Sequence, residues 1–360
     1  MKSVATCFTF HFSLFTFHIS LFTFHISLFT FHISIFNIVF STPILLINFN
    51  RPDFTSRVLT TVMQQAPARL YVFQDGPRPS HPEDPERLAA VREVIGELTS
   101  GTSTELFTRY SDHNLGCGPG PADALSWFFG HEECGIVIED DAVPHPDFFP
   151  YAQELLQRFA HDSSVMAIGS MNVDRERPTP YSYYFSMMNR NLCAWASWRR
   201  AWEHFDLRHF AVSRGTLSRA LRRYGCGILE RLYWCDRLDE IHRDGVGNSS
   251  WDMQFLISIW LNHGKGIIPN VNLSSNIGTV VDATHPSGQG NIIDNIPTSP
   301  ILPLNHPPTT EIQRGADRQF HFRYFEPSRG NWSQGKTCLY AVNRFVKRII
   351  GHQGPWRQKK

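Results

Sequence analysis

The pattern of hydrophobic and polar residues predicts strands that alternate with helices from residue 43 onward. Short apolar runs that end at turn-forming residues are typical of buried strands. Such runs occur at residues 43–49, 69–73, 135–138 and 165–170. Apolar residues at helical spacing lie between them, as in residues 86–98. Because strands that alternate with helices form parallel sheets covered on both faces, the predicted fold class is α/β: a Rossmann-like, mostly parallel sheet flanked by helices in a single large domain.

The chain begins with a segment of different composition, residues 1–41. A seven-residue unit, FTFHISL, recurs there almost unchanged, and no charged residue occurs between Lys2 and Arg51. The uniformity of the repeat indicates a mis-started extension rather than a structural element. A membrane anchor is the alternative, because the segment has the length and apolarity for one.

Shifts in composition divide the rest of the chain into three segments. Residues 42–286 carry the alternation of strands and helices and form the predicted domain. Residues 287–336 are rich in Pro, Gly, Asn and Ser and are predicted to be loop. Residues 337–360 combine apolar positions at helical spacing with Arg and Lys. This pattern predicts a basic amphipathic helix that either packs on the domain or makes peripheral contact with an anionic membrane surface.

The composition sets limits on the function. The 360 residues are 42% hydrophobic and 19% charged, which is enough apolar material for a sizeable core. The formal net charge of +1 gives no indication of nucleic acid as a partner. The seven cysteines form neither a CxxC pair nor a zinc-ligand spacing. Their scatter favours free thiols in a reducing compartment and therefore a cytoplasmic location.

The apolar run of residues 135–138 ends abruptly in three carboxylates, Glu139, Asp140 and Asp141. The end of such a strand lies at the carboxyl edge of the sheet, where open α/β folds bind ligands. Adjacent like charges need a cation or hydrogen-bond donors nearby. Oxygen ligands suit a hard divalent ion such as Mn²⁺ or Mg²⁺, which also holds phosphates. The alternative is an acidic, solvated turn.

Polar residues also follow the first two predicted strands. Asn50 and Arg51 come after the first strand, and Asp75 and Gly76 after the second. In a parallel sheet these positions lie on the same edge as the three carboxylates. Asp75 is placed to accept from a base N–H or a ribose hydroxyl, and Arg51 to meet a phosphate. The alternatives are a turn-forming aspartate and a surface arginine.

Two further residues are candidates on weaker grounds. Asp252 follows Trp251 at the predicted start of a helix, where an aspartate commonly complements the helix dipole. His285 lies in a polar loop and is a candidate metal or phosphate ligand, although single histidines are more often structural or exposed. The glycine-rich run of residues 116–120 lacks Gly-Lys-Ser/Thr and does not follow a strand, so it predicts a tight turn rather than a P-loop.

Taken in order, these motifs resemble a known family. They are Arg51 after the first strand, Phe73-Gln74-Asp75-Gly76, Val137-Ile138-Glu139-Asp140-Asp141 followed by Pro146-Asp147-Phe148-Phe149, and then Trp251-Asp252. This order resembles inverting glycosyltransferases of the GT-A fold, in particular the N-acetylglucosaminyltransferase I family and its bacterial relatives. The Glu-Asp-Asp run followed by Pro-Asp-Phe-Phe is the specific part.

The resemblance implies a metal-dependent inverting glycosyltransferase. Its donor would be a nucleotide-diphosphate sugar, UDP-linked and for instance GlcNAc, and its acceptor a hydroxyl of a glycan or lipid-linked molecule. It implies Mn²⁺ (or Mg²⁺) as cofactor. The roles implied for individual residues are a metal ligand at Asp141, contacts to the donor sugar and ribose at Glu139 and Asp140, recognition of uracil at Asp75, a diphosphate or uridine contact at Arg51, and the general base at Asp252.

Two other functions compete with this one. A non-catalytic protein that binds a nucleotide sugar or glycan would use the same scaffold without transfer. A sugar nucleotidyltransferase would share the nucleotide site and the carboxylate-bound metal, and would release pyrophosphate. The glycine-rich loop usual after the first strand of such enzymes is absent after Asn48-Phe49, which counts against the nucleotidyltransferase.

Overall fold

The computed structural model describes residues 40–175, 177–188, 194–209, 211–244, 251–278 and 294–325. Three predictions concern parts of the chain outside these ranges. They are the repeat segment up to residue 39, His285, and the basic amphipathic helix of residues 337–360.

The first half of the domain alternates strictly between strands and helices. Its elements are β1 (Ile44–Asn48), α1 (Pro52–Met63), β2 (Arg69–Gln74), α2 (Asp84–Thr99), β3 (Glu105–Tyr110), α3 (Pro119–His131) and β4 (Cys134–Glu139). β1 and β4 are almost wholly apolar and buried because both faces of the sheet are covered by helices. These elements confirm the predicted alternation, with ends that differ from the predictions by a few residues.

The second half adds strands of both directions and more helices. Its elements are β5 (Ala142–Pro144), α4 (Phe148–Arg158), β6 (Val165–Gly169), β7 (Tyr183–Ser186), β8 (Ala194–Trp198), α5 (Arg199–Trp202), α6 (Arg214–Arg223), α7 (Ile228–Asp244), α8 (Trp251–Leu261), β9 (Lys265–Pro269), β10 (Ser274–Asn276) and α9 (Arg314–Phe320). A short π-helix, His321–Phe325, follows α9.

The strands of the described residues form one large sheet and one small one. The large sheet has the order β3-β2-β1-β4-β8-β6-β9-β7. β3, β2, β1 and β4 are parallel, whereas β8 and β7 run antiparallel to their neighbours. The chain builds outward from β1 to β3 and then returns to β4 on the other side of β1, so a topological switch point lies between β1 and β4. This arrangement confirms the Rossmann-like α/β prediction.

Two apolar clusters form much of the core. The first packs α3 and the start of α8 against β1, β2, β4 and β8, and includes Phe73, Phe128 and Trp195. The second packs α6, α7 and α9 against the other side of α8, and includes Trp234 and Trp260. The aromatic residues between 181 and 202 belong largely to this packing: Trp195 and Tyr183 are fully buried. They are core residues.

Two helices differ from the sequence-based prediction. α7 was not predicted, although its buried residues Trp234, Cys235, Leu238 and Ile241 have helical spacing. Helix α9 lies within the segment 287–336, which was predicted to be loop. α9 is held at the end of β7, because its buried Asp317 accepts one hydrogen bond from the hydroxyl of Ser186 and another from the backbone N–H of Met187.

Across the described part of the chain, no helix combines the length and the apolarity needed to cross a membrane.

Gly135 of β4 packs closely against Phe128 of helix α3, and its replacement tests the packing of the first cluster. A Cβ atom at this position would lie 2.3 Å from Cζ of Phe128 and 2.8 Å from the carbonyl oxygen of Pro43. We therefore expect Gly135→Ala to lower the free energy of unfolding by about 1–3 kcal/mol, the usual cost of overpacking a core. Chemical denaturation measures this change. Gly96→Ala is the matched control, because no atom lies within 4 Å of a Cβ there and alanine is favoured inside a helix by about 0.5–1 kcal/mol.

Candidate functional site

The candidate site lies at the switch point of the large sheet. The loop after β1 and the loop after β4 leave the sheet side by side there, because β1 and β4 are parallel neighbours. The first loop carries Asn50 and Arg51, and the second carries Asp140 and Asp141 directly after Glu139, the last residue of β4. The crevice outside the carboxyl ends of strands at such a point is the usual ligand site of open α/β sheets.

The two loops are joined by contacts to the carboxylates. The backbone N–H of Phe49 donates to Oδ2 of Asp140 over 3.2 Å. The guanidinium of Arg51 donates to Oδ2 of Asp141 over 3.4 Å and lies 4.0 Å from Oδ1 of Asp140. Its side chain is 19% exposed. The structure therefore brings Arg51 and the acidic run together, as predicted.

Asp141 is held from its other side by the small sheet. β10 pairs antiparallel with β5, with Asn276 opposite Ala142. The backbone N–H of Ile277 donates to the carbonyl oxygen of Asp141 over 2.8 Å, and the side-chain amide of Asn276 donates to the Asp141 carboxylate. A Cβ atom on Gly278 would lie 2.1 Å from Oδ2 of Asp141. The carboxylate is thus fixed between Arg51, Asn276 and the backbone of Gly278.

Among the residues that the structure describes, one oxygen of this carboxylate has no partner. Oδ1 of Asp141 is buried and makes no hydrogen bond to any of them. A buried carboxylate oxygen without a donor is costly unless a ligand supplies the missing contact. Its hard-oxygen chemistry fits Mg²⁺ or Mn²⁺. Within the described ranges no three His, Cys, Asp or Glu side chains form a ready-made metal cage. The fit is therefore to a cation that keeps much of its coordination for water and phosphate, as Mg²⁺ commonly does.

All three carboxylates of the run have raised pKa values. Burial is the main cause at each, and mutual repulsion adds to it at Glu139 and Asp140. Arg51 works in the opposite direction at Asp140 and Asp141. The negative charges of the cluster therefore destabilise the folded protein, and a bound cation would reduce this destabilisation.

Helix α8 places two further residues beside the cluster. The indole N–H of Trp251 donates to the carboxylate of Glu139, and the charge of Asp252 is close enough to raise the pKa of Glu139. Trp251 is 3% exposed and stacks on Trp195 at 5.4 Å between ring centroids. Asp252 is exposed, and one of its oxygens accepts from the N–H of Met253 over 2.8 Å. The predicted Asp252 therefore does reach the site, on a helix fixed by stacked tryptophans.

Asp75 is occupied by the glycine-rich loop. Its Oδ1 accepts from the N–H groups of Gly76 and Leu115, both over 2.8 Å. Its Oδ2 accepts from the N–H of Gly116 and the amide of Asn114, both over 3.0 Å. Four donors fill the lone-pair positions of a carboxylate, so a base N–H would have to displace one of them. Recognition of a base by Asp75 stays a prediction, whereas its fixing of the loop is observed.

Gly76 and Asn50 also serve the loops that surround the site. A Cβ atom at Gly76 would lie 2.5 Å from the backbone of His113, so glycine permits the close approach of that chain segment. The Asn50 side chain is buried and donates to Oδ1 of Asp84 over 2.7 Å. Arg78 donates to the same carboxylate over 2.8 Å and holds the pKa of Asp84 well below its usual range. Direct contacts of Asn50 or Gly76 to a substrate remain predictions.

Sequence reasoning missed three neighbours of the site. Asn276 and Gly278 carry no motif and reach Asp141 only through the pairing of β10 with β5. Cys117, in the glycine-rich loop, lies near enough to Asp252, Glu139 and Asp75 that their charges, together with burial, raise the pKa of its thiol. The glycine-rich sequence had indicated a turn. Its connection to the site depends on the hydrogen bonds that Asp75 accepts from it, which the sequence does not indicate.

A cleft of about 450 Å³ opens beside this loop. Residues from the ends of β2 and β3 and from the loop line it, among them Phe73, Tyr110, His113 and Leu115. The guanidinium of Arg92 lies over the ring of Tyr110 at 4.4 Å. The carboxyl edge of the sheet therefore offers an aromatic recess in addition to the charged cluster.

The raised pKa values predict a pH dependence of stability. Without a divalent cation, unfolding releases protons from these carboxylates, so their destabilising effect is absent below the unfolded-state pKa of about 4. It grows as the pH rises to about 8, the value to which the pKa of Glu139 is raised. We expect Tm to fall over this interval. We expect Mg²⁺ or Mn²⁺ to raise Tm more at pH 8 than at pH 5.5, because the ligands must be deprotonated.

Thermal unfolding at the two pH values, with and without the metal, measures this effect. Asp141→Asn is expected to remove most of the metal-dependent difference. An equal rise in Tm at both pH values would show that the cation binds elsewhere.

Comparison with known proteins gives matches only among solved structures. No protein-family model matches the chain, and the search of curated proteins finds no match. HddC from Yersinia pseudotuberculosis is 10% identical with a TM-score of 0.29, over 46% of this chain and 80% of that one. The inositol-1-phosphate CTP transferase from T. maritima is 8% identical with a TM-score of 0.28, over 45% and 73%. A UDP-glucose pyrophosphorylase complexed with UDP-glucose is 9% identical with a TM-score of 0.26, over 46% and 78%.

These matches correct two predictions made from the family resemblance. Two of these structures are described as a CTP transferase and a UDP-glucose pyrophosphorylase, and none of the three is described as a glycosyltransferase, so the predicted N-acetylglucosaminyltransferase I family and glycosyltransferase class are contradicted. The physical reason is that carboxylates at the edge of a Rossmann-like sheet serve any enzyme that holds nucleotide phosphates through a cation. The motif therefore indicates the type of site but does not determine the reaction. Identities of 8–10% and TM-scores below 0.3 assign no activity to this chain, so its function rests on the site itself.

Proposed function

We propose that the crevice at the switch point binds a nucleotide whose phosphates are held through Mg²⁺ or Mn²⁺, and that the protein is a sugar nucleotidyltransferase. It would join a nucleoside triphosphate and a sugar 1-phosphate into a nucleotide sugar and pyrophosphate. The observation that carries the proposal is the Asp141 carboxylate, which is fixed on three sides and has a buried oxygen that no described residue hydrogen-bonds.

Asp141 would be the protein ligand of the cation. When bound, the cation would neutralise the charge that develops on the departing pyrophosphate. Arg51 supports the same assignment, because its partly exposed guanidinium stands beside Asp141 and can pair with phosphate oxygens. Helix α1 begins directly after Arg51, and a helix N-terminus favours nearby negative charge.

The absence of a glycine-rich loop after β1 changes how phosphate would be bound. The loop in this chain has the sequence Phe49-Asn50-Arg51, and the amide of Asn50 is directed at Asp84. Phosphate binding would therefore depend on Arg51 and the cation rather than on a ring of backbone N–H groups. Removal of the metal is expected to abolish nucleotide binding rather than weaken it slightly.

The remaining acids would act on the sugar side. The attacking oxygen of a sugar phosphate is already ionised at neutral pH, so this reaction needs no general base to remove a proton. Asp252 and Glu139 would instead accept hydrogen bonds from hydroxyls of the sugar or ribose, and the Trp251 indole holds Glu139 in place for this contact. The nucleobase would lie in the aromatic cleft beside the glycine-rich loop.

The experiment is a pyrophosphate-release assay. Purified protein is incubated with each nucleoside triphosphate and a panel of sugar 1-phosphates, with Mg²⁺, with Mn²⁺ or with EDTA. We expect pyrophosphate and a nucleotide sugar only when the metal and both substrates are present. Asp141→Asn is expected to be inactive, and Glu97→Gln, at an exposed acid on α2, is expected to be fully active.

Two outcomes would count against this function. Metal-dependent binding of nucleotide sugars in calorimetry, without pyrophosphate release from any pair, would indicate a non-catalytic binding protein. Consumption of a preformed nucleotide sugar without pyrophosphate chemistry would overturn the reaction and leave the nucleotide site in place.

A further inference from the structure

Strand β3 forms one edge of the large sheet and is unusually exposed. In the described residues its one strand neighbour is β2. Four of its six residues, Glu105, Leu106, Thr108 and Arg109, are exposed, and Phe107 and Tyr110 are half-buried. Residues on both faces of the strand are therefore accessible. An edge strand with apolar side chains and outward backbone groups is a surface suited to pairing with another strand.

The backbone of β3 alternates between its neighbour and solvent. The N–H groups of Glu105 and Ser111 donate to carbonyl oxygens of the β2 segment, each over 2.9 Å. Since successive residues of a strand direct their N–H groups to opposite sides, those of Leu106, Thr108 and Tyr110 point away from the sheet. A strand from another molecule would bond to these three positions.

The sequence of β3, ELFTRY, is self-complementary in one antiparallel register. A two-fold axis at Phe107 sets Leu106 opposite Thr108 of a second copy, and both of these residues have backbone N–H groups that point away from the sheet. The same axis sets Glu105 opposite Arg109 of that copy. An axis at Leu106 or at Thr108 would set Glu105 or Arg109 opposite Phe107 instead. Opposite charges that face each other across two strands stabilise the pair, whereas like charges, or a charge opposite an apolar residue, do not.

The packing behind the strand also fits this register. The ring of Phe107 stacks on that of Tyr71 at 4.6 Å between centroids, and Tyr71 contacts Trp127 edge-on at 5.3 Å. This aromatic layer runs to the edge and stops at Phe107. With the axis at Phe107 the rings of two copies would meet as a close, non-hydrogen-bonded pair, which would continue the layer. Arg109 also bonds Asp123 over 2.9 Å, and Glu105 of the second copy would join this pair.

We infer that β3 is a dimerisation edge, at which a second copy of this chain pairs antiparallel about Phe107 to make one continuous sheet. Sedimentation velocity of the full chain over a range of concentrations tests it. We expect a dimer that Arg109→Glu weakens at least tenfold, and that the double variant Glu105→Arg/Arg109→Glu restores. Glu97→Lys, a charge reversal on the exposed side of α2, is expected to have no effect.

Thr108→Pro is a second variant that removes a backbone donor and leaves the charges of Glu105 and Arg109 unchanged. It removes an outward N–H and leaves the bonds to β2 intact, so it is expected to give folded monomers, as checked by circular dichroism. Association through any other surface, residues 1–39 included, would not respond to these charges. A monomer at all concentrations, or a double variant that does not recover, would overturn the inference. Glu105 and Arg109 would then be charges that keep the edge unpaired. The mass readout does not depend on the proposed enzymatic function.

Discussion

Replacing Asp141 by asparagine is expected to abolish metal-dependent nucleotide binding, with a loss of at least about 100-fold in affinity. The substitution keeps the shape of the side chain and its place between Arg51, Asn276 and Gly278. It removes the negative charge and puts an amide where the unpartnered Oδ1 now lies. A neutral amide is a much weaker ligand for a hard divalent cation than a carboxylate.

Isothermal titration of a nucleoside diphosphate such as UDP, in the presence of Mn²⁺ or Mg²⁺, measures this effect. Glu97→Gln makes the same change from carboxylate to amide at an exposed site on α2 and should bind like the unmodified protein. If Asp141→Asn bound the metal–nucleotide complex with unchanged affinity, Asp141 could not be the ligand. The buried carboxylate oxygen would then have a purely structural role.

Gly278→Ala is expected to displace the Asp141 carboxylate without changing its chemical identity. The added methyl group would lie 2.1 Å from Oδ2 and 2.7 Å from Cγ of Asp141. Asp141 cannot move aside easily, because its carbonyl oxygen is bonded to Ile277 and its side chain to Asn276. We expect metal affinity to fall by about 10–100-fold, as for other changes in the groups that orient a ligand.

Mn²⁺ binding followed by electron paramagnetic resonance gives the affinity, and thermal unfolding shows whether the domain stays folded. Gly315→Ala is the control, because no atom lies within 4 Å of a Cβ there. Normal affinity in a folded Gly278→Ala protein would mean that the position of Asp141 is irrelevant to the cation. That result would be stronger evidence against Asp141 as the metal ligand than a loss of activity would be in its favour.

Sequence patterns were sufficient for the sheet edge and its charges. Local apolar runs predicted β1, β2 and β4, and parallel connection of these strands implies that Arg51 and Asp141 meet at one edge. The position of Asp252 near this edge came from the family resemblance. The structure brings Asp252 to Glu139, although the activity implied by that resemblance is corrected.

Contacts between distant segments could not be predicted in the same way. Asn276 and Gly278 reach Asp141 through the register of β5 with β10, two three-residue strands with no hydrophobic pattern of their own. The direction of the Asp75 side chain depends on the backbone of residues 114–116, which returns to it from after β3. Side-chain direction and register are tertiary properties, and a motif indicates only which residues are available.

Helix α8 contributes to both apolar clusters of the domain. Trp251, Phe255 and Ile259 belong to the cluster beneath β1, β2 and β4, and Leu256 and Trp260 belong to the cluster of α6, α7 and α9. The two clusters can therefore accumulate substitutions at different rates, provided that α8 keeps its register between them. Substitutions around α7 and α9 would then leave the carboxylates at the switch point and Asp252 in place.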